Sequence, residues 1–453
     1  MKHEWISGML ARIGLHIRSG FWFVPAALTL AAIGLALVLV EVDQRTYSPL
    51  RDTWPRMFAA QAEGSRAMLS AIASSMITVA GVVFSITIVA LAQASTQYTS
   101  RVLRKFMRDR LNQVVLGVFV GVFTYCLVVL RTISSGDDGP FNPGLAVFTA
   151  MLLALVAIGL LIVFIHHIAT SIQAGEIARS VMLETRDAID RLFFERVGDA
   201  AGADATSQEV LDWQPVHALD TGYIQTVEPE ALINFAVRHD LVVRMDVGVG
   251  EFVATGRSLA QVSARGPVDA AMREELNALY VIGAFRTTDQ DPAFGFRQLV
   301  DIALKALSPG INDTTTAVTC LDYLSVLLQH VVERGAEPSR RMHEGRLRVI
   351  ARNPDFADLA ELAFGQVLEN AEGNTVVLMR LLRMVAEVAQ VGDDPAQHAL
   401  LATRTAVIDE VWRRSARSSH AHALLAEASE AAWCACTAAP AARAAPRGGD
   451  PAS

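Results

Sequence analysis

Two short polar runs hold the residue types that could do chemistry. Arg286-Thr287-Thr288-Asp289-Gln290-Asp291 sets a guanidinium and two carboxylates beside a side-chain amide, and Ser308-Pro309-Gly310-Ile311-Asn312-Asp313 follows one helix later. A cation near a helix start is a seat for an anion or phosphate, because the first backbone N–H groups of a helix are unsatisfied and the dipole is positive there. If the loops flanking the helix converge, Arg286, Asp289, Gln290, Asp291, Ser308, Asn312 and Asp313 form one candidate ligand site. The same residues have a structural use: Asp291 is an N-cap for a helix opening at Pro292, and Asn312 or Asp313 for the next.

A third feature lies far upstream. At about 100° per residue, Ser70, Ser74, Thr78, Gly81, Ser85, Ala92, Thr96 and Thr99 fall within roughly 40° of one line on a helix, opposite Ile72, Met76, Val79 and Val83. Hydroxyls on one flank of a membrane helix either line a path for small ions or let helices pack closely. Ser70, Ser74, Thr78, Gly81 and Ser85 are therefore the candidate pore or packing residues.

Other chemistries find no footing. There is no Walker loop, zincin helix, nucleophile elbow or dinucleotide fingerprint, and no carboxylate spacing picks out a catalytic pair. No catalytic residue, metal site or cofactor is expected. Cys434 and Cys436 lack two further ligands, and with Cys126 and Cys320 they are expected as free thiols. A net charge of −8 over 453 residues gives no basic field for nucleic acid.

The elements behind these residues start with four uncharged apolar runs: Ser19 to Val40, Leu69 to Ala92, Gln113 to Leu130 and Leu145 to Ile165. Each is near the ~20 residues that cross a bilayer. The first leads into Glu41-Val42-Asp43 without a small-residue cleavage site, so it reads as a retained anchor behind an amphipathic opening at residues 1–19. Arg101, Arg104, Lys105, Arg108 and Arg110 follow the second run, facing only Asp109. Cytoplasmic flanks keep such positive excess, and anionic headgroups attract it. The mixed-charge loop after the first run and the acidic loop with Asp137 and Asp138 are then external, and both termini cytoplasmic. Gly117 and Gly121 form a G-x-x-x-G pair suited to a helix seam, and Tyr125 is expected to bond to a neighbouring helix.

Beyond a helical stretch from Ile168 and a Gly/Ala/Asp/Ser-rich linker at 198–208, the period changes to that of strands. Within residues 241–262 the chain runs close to V-x-V-x-x-G-x-F-V-x-x-G-x-x-L-x-x-V, with Met245 at the first position, which resembles half of a biotinyl or lipoyl barrel sandwich. Attachment of either group needs a lysine, and none lies between Lys105 and Lys305, so an adaptor module is expected. The fold class is mixed: an N-terminal α-helical four-span membrane domain, then an α+β cytosolic domain with a small barrel-sandwich-like β module. The expected domains are the membrane domain at 1–167, helical extension and linker at 168–207, β module at 208–265, the two polar runs at 266–335, a helical segment at 336–435 and a disordered tail at 436–453.

Four stretches resemble a bacterial family of predicted membrane proteins known as domain of unknown function 2254: residues 76–100, Gly248 to Gly256, the run Gly283 to Asp291, and Leu304 to Asp313. The resemblance spans roughly residues 15–430, with R-T-x-x-Q-D and A-L-S-P-G-I-N-D as its specific part. The family usually reads N-D-P-x-T-A where this chain has Asn312-Asp313-Thr314-Thr315-Thr316-Ala317. It implies a multi-pass protein of the bacterial inner membrane but no activity. Two functions are expected in turn: a membrane-anchored cytosolic sensor or scaffold, and a homo-oligomeric channel for small ions with the second helix along the path. The orientation is testable: a cysteine at Arg104 should be labelled by an impermeant thiol reagent only from the cytoplasmic side, and periplasmic labelling would invert the topology.

Overall fold

A computed structural model describes residues 22–53, 62–97, 109–133, 141–171, 173–194, 199–200, 212–264, 266, 268–335 and 339–438. The amphipathic opening at 1–19, the basic cluster Arg101, Arg104, Lys105 and Arg108, and the loop at 136–140 lie outside them, as do most of the linker and of the tail. The chain forms two compact units, Met1–Glu176 and Ile177–Ser453.

The first unit is built from α1 (Phe23–Thr53), α2 (Ala62–Gln97), α3 (Arg110–Thr132) and α4 (Gly144–Ser171). With no charged side chains along most of their length, these helices are held by close packing and by bonds at their ends. α3 packs against the other three, and α4 also touches α1 and α2. The Gly117/Gly121 pair is a seam: a Cβ on Gly117 would lie 2.7 Å from Leu28 Cδ1 and 2.9 Å from Pro25 Cα, and one on Gly121 would meet Ala32 and the backbone of Leu28. The Tyr125 hydroxyl donates to the Ala146 carbonyl at 2.8 Å.

The helix ends are tied crosswise. Near the end of α1, Asp43 accepts from the N–H groups of Leu145 (3.2 Å) and Ala146 (3.0 Å), capping the start of α4 from another helix. Arg66 at the start of α2 donates to the Ile133 carbonyl beyond the end of α3 at 2.5 Å. At the other end, Asp109 caps α3 and meets His167 near the end of α4. Neighbours therefore run up and down, with the start of α1 and the end of α4 at the same end of the bundle.

Five helices among the described residues are long and apolar enough to cross a membrane: Phe23–Arg45, Ala62–Gln93, Arg110–Thr132, Gly144–Thr170 and Thr314–Arg334. The fifth is in the second unit, where the pattern of leucines predicts only an ordinary helix.

The second unit opens with α5 (Ala174–Phe194) and β1 (Asp199–Ala200), followed by β2 (Trp213–His217), β3 (Gly222–Val227), α6 (Pro229–Arg238), β4 (Val243–Met245), β5 (Phe252–Val253) and β6 (Ser258–Ser263). Then come α7 (Ala270–Ala278), β7 (Tyr280–Gly283), α8 (Pro292–Leu307), α9 (Thr314–Arg334), β8 (Arg340–His343) and β9 (Arg346–Ile350). Four helices close it: α10 (Phe356–Glu369), α11 (Thr375–Ala389), α12 (Pro395–Ser415) and α13 (Ser419–Thr437).

No closed barrel forms among the described strands. β4 and β6 join a six-stranded sheet in the order β1-β8-β9-β4-β6-β2, whereas β5 leaves it for a three-stranded antiparallel sheet, β5-β3-β7. The short residues after Gly248 and Gly250 turn the chain away from β4, so the V-x-V-x-x-G-x-F-V pattern feeds two sheets. β9 pairs with β4 in parallel, bringing in a strand from about a hundred residues downstream. Val216, Val243, Leu259, Val262 and Val349 of the larger sheet share a core with Leu232 and Phe235 of α6.

The helices form the other layer, with α8 beside α9 and α10, and α9 also beside α11. α5 reaches this layer at a tight crossing, where a Cβ on Gly295 would collide with buried Thr185. Buried Asp409 fastens α13 to α12 by accepting from Trp412 Nε1 (2.8 Å), Ser429 Oγ (2.6 Å) and Trp433 Nε1 (3.1 Å).

The seam in the first unit yields a comparison. Overpacking costs about 1–3 kcal/mol, so Gly117→Ala should lower the thermal midpoint of the purified protein. Gly34→Ala, where nothing lies within 4 Å, should leave it level or raise it.

Candidate functional site

The first polar run folds inward on itself. Arg286 donates from Nε to Asp291 Oδ2 at 2.7 Å and from Nη2 to Oδ1 at 2.9 Å, a two-pronged pair on a carboxylate that is 2% exposed. Asp291 also caps α8 by accepting from the Phe294 N–H at 3.0 Å, and the guanidinium stands over the Phe294 ring, 5.2 Å from its centroid. Burial pushes the Asp291 carboxyl above its ordinary range, against the pull of Arg286 and the Phe294 N–H. The anion seat at the start of α8 is thus taken by the chain's own carboxylate.

The backbone around the pair fits this use. Gly250, at φ +84°, lies so close that a Cβ there would collide with the Asp291 carboxylate and the guanidinium. Gln290 Oε1 accepts from the Val227 N–H at 3.0 Å and Gln225 Nε2 donates to the Phe285 carbonyl at 2.7 Å, so the loop is stitched to β3. Asp289 is exposed.

The second run sits at the far end of α8, which at 16 residues is about 24 Å long. The two loops do not converge into one site. Ser308 donates to the Lys305 carbonyl at 2.7 Å, exposed Asn312 takes the left-handed conformation at φ +50°, and Asp313 caps α9. Thr316 supplies both donors to Asp313, its N–H at 3.0 Å and its hydroxyl at 2.6 Å, which holds that carboxyl below its ordinary range. Thr314 takes the place where the family pattern has proline, and its hydroxyl accepts from Asn374, the cap of α11, at 3.1 Å. A proline could not make that bond, and the helix start keeps its form without one.

On α2 the five stripe residues, Ser70, Ser74, Thr78, Gly81 and Ser85, are all exposed, while Leu69, Ala73, Met76, Ala80 and Val83 are buried in the bundle. Thr78 bonds back to the Ser74 carbonyl at 2.8 Å, so its hydroxyl donor has a partner without water. The rest of the exposed surface of this unit is dominated by large aliphatics such as Leu30, Val89, Leu155 and Ile162.

Sequence reasoning misses three polar positions. Asp43 caps α4 across a hundred residues, Asp409 gathers two indoles, and Asn112 is buried in α3; the first and last follow or open an apolar run, where a lone polar residue is the available signal. No group of three metal-ligating side chains occurs among the described residues.

Removing one partner of a buried ion pair strands the other, at about 3–5 kcal/mol. Arg286→Gln should therefore unfold the second unit at markedly lower denaturant than wild type, and Asp289→Asn should be neutral within error in the same titration.

Residues 18–387 match the family described as "Predicted membrane protein (DUF2254)". An uncharacterized protein of Mycobacterium tuberculosis is 31% identical over 405 residues, covering 88% of this chain and 77% of its own length, and one from Mycobacterium bovis aligns with the same values. No solved structure matches. The runs that build the buried Arg286–Asp291 pair and the Asp313 cap lie inside the matched region, and the chain belongs to this family of predicted membrane proteins.

Proposed function

We propose that the chain is a multi-pass protein of the bacterial inner membrane that assembles with copies of itself around the hydroxyl face of α2, leaving a path for small ions. The observation that carries this reading is the outward turn of Ser70, Ser74, Thr78, Gly81 and Ser85, while the opposite flank of the same helix fills the bundle. A small, hydroxyl-bearing surface gains little from lipid tails, whereas facing copies of itself it allows close approach or a wet lining.

In this reading α1 to α4 cross the bilayer and α9 does not. α9 carries Asp322, His330, Glu333 and Arg334 and packs against α8, α10 and α11. His330 and Arg334 both reach Asp190 of α5 at 2.7 Å, and Arg380 of α11 pairs with Asp322. Such charges are costly against hydrocarbon. Four crossings return both termini to the cytoplasm, and Arg101, Arg104, Lys105 and Arg108 meet anionic headgroups there. Nucleic acid has no part in it.

A second reading, a membrane-anchored scaffold, is favoured by a different surface. On the three-stranded sheet, Phe252 (57% exposed) stands edge-to-face with Tyr223 at 5.3 Å, beside exposed Val281 and Phe285. A ligand-sensing role has less support, since Arg286 would have to leave Asp291 to receive a guest.

Planar-bilayer recording of the purified protein separates the two. Conduction is expected, reduced or abolished by Ser74→Trp or Thr78→Trp in a protein that still purifies as the same oligomer. A silent but intact oligomer would overturn the ion path and leave the scaffold.

A further inference from the structure

Asn112 opens the buried part of α3 with an unusual debt. It is 2% exposed, and among the described residues neither its Oδ1 nor its Nδ2 has a hydrogen-bond partner. Gln113 beside it is buried as well, and Asp109, one turn before it, meets His167. From Val115 on, the buried residues of the helix include Phe119, Val122 and Val129, and the buried hydroxyl of Tyr125 has its partner in the Ala146 carbonyl. Each unpaired buried polar group costs about 1–3 kcal/mol. An amide with both its donors and its acceptor unmet is not left so without compensation.

The chemistry of the amide selects what compensates. A cation would satisfy Oδ1 alone and an anion Nδ2 alone, each leaving the other group orphaned. Water donates and accepts, and satisfies both. A buried water needs two to four polar partners, and Gln113 and the Asp109–His167 pair supply polar neighbours at the same end. We propose that the Asp109 end of the four-helix bundle holds ordered water bound by the side chain of Asn112. This hydrated site lies inside one protomer on α3. It does not depend on the outer face of α2 or on assembly.

The experiment uses the full-length protein in lipid nanodiscs, with Cys126, Cys320, Cys434 and Cys436 replaced. A thiol reacts as its thiolate, which a dry apolar core suppresses, so Asn112→Cys should react with methanethiosulfonate ethylammonium about tenfold or more faster than Val115→Cys. Equal rates at the two positions would overturn the proposal. Asn112→Leu gives a separate readout, should the cysteine variant fail to fold. Replacing a dry orphaned amide by leucine raises the thermal midpoint, whereas stranding bound water against methyl groups lowers it. A lower midpoint is expected, and a raised one would overturn the hydrated site.

Discussion

The carboxylate of Asp291 has three tasks in the second unit. It caps the longest core-facing stretch of α8, neutralises Arg286, and sits against a glycine backbone at Gly250 that leaves it room. Each task constrains the others. The cap fixes where α8 begins, the two-pronged guanidinium fixes the loop after β7, and Gly250 fixes the turn between the two sheets. Because the carboxylate is buried, its partner must be present and aligned, or the loss exceeds what an exposed pair could ever contribute.

The same economy runs through the unit. α7, α8, α9, α10, α11, α12 and α13 all begin on a side-chain cap, from Asp269, Asp291, Asp313, Asp355, Asn374, Asp394 and Ser418 in turn. Much of the acidic excess of the chain is therefore committed to helix starts, where a carboxylate meets free N–H groups and a favourable dipole.

This explains what was legible in the sequence. Apolar runs near twenty residues, the Gly117/Gly121 seam and the caps at Asp291 and Asp313 are local, and period and residue type reveal them. The convergence of the two polar runs into one site is an expectation the fold does not meet, since a helix of 16 residues keeps its own ends apart. What stayed hidden is long-range. Nothing near Leu347 says that β9 will lie parallel to β4, and nothing near Gly295 says that Thr185 will cross it. The barrel-sandwich pattern failed for a related reason: glycine spacing sets where the chain turns but not which strand it pairs with afterwards. α9 is the converse case, where composition alone satisfies a membrane criterion that its charged contacts in the folded unit oppose.

The exposed flank of α2 rests on a comparison of costs. Serine and threonine hydroxyls can bond back to the carbonyl one turn before, as Thr78 does, so a hydroxyl face is tolerable almost anywhere in a membrane. Gly81 is different. A glycine in mid-helix loses about 1 kcal/mol relative to alanine, and here no atom stands within 4 Å of where its Cβ would be, so the fold of one chain recovers none of it. Gly117 shows what recovery looks like, with Pro25 and Leu28 of α1 pressed against it. Gly34 in α1 and Gly159 in α4 are equally open, so the space beside Gly81 does not by itself mark a contact; what sets it apart is its line with Ser74, Thr78 and Ser85. In the proposed assembly, a second backbone of similarly small residues would approach this face as α1 approaches α3.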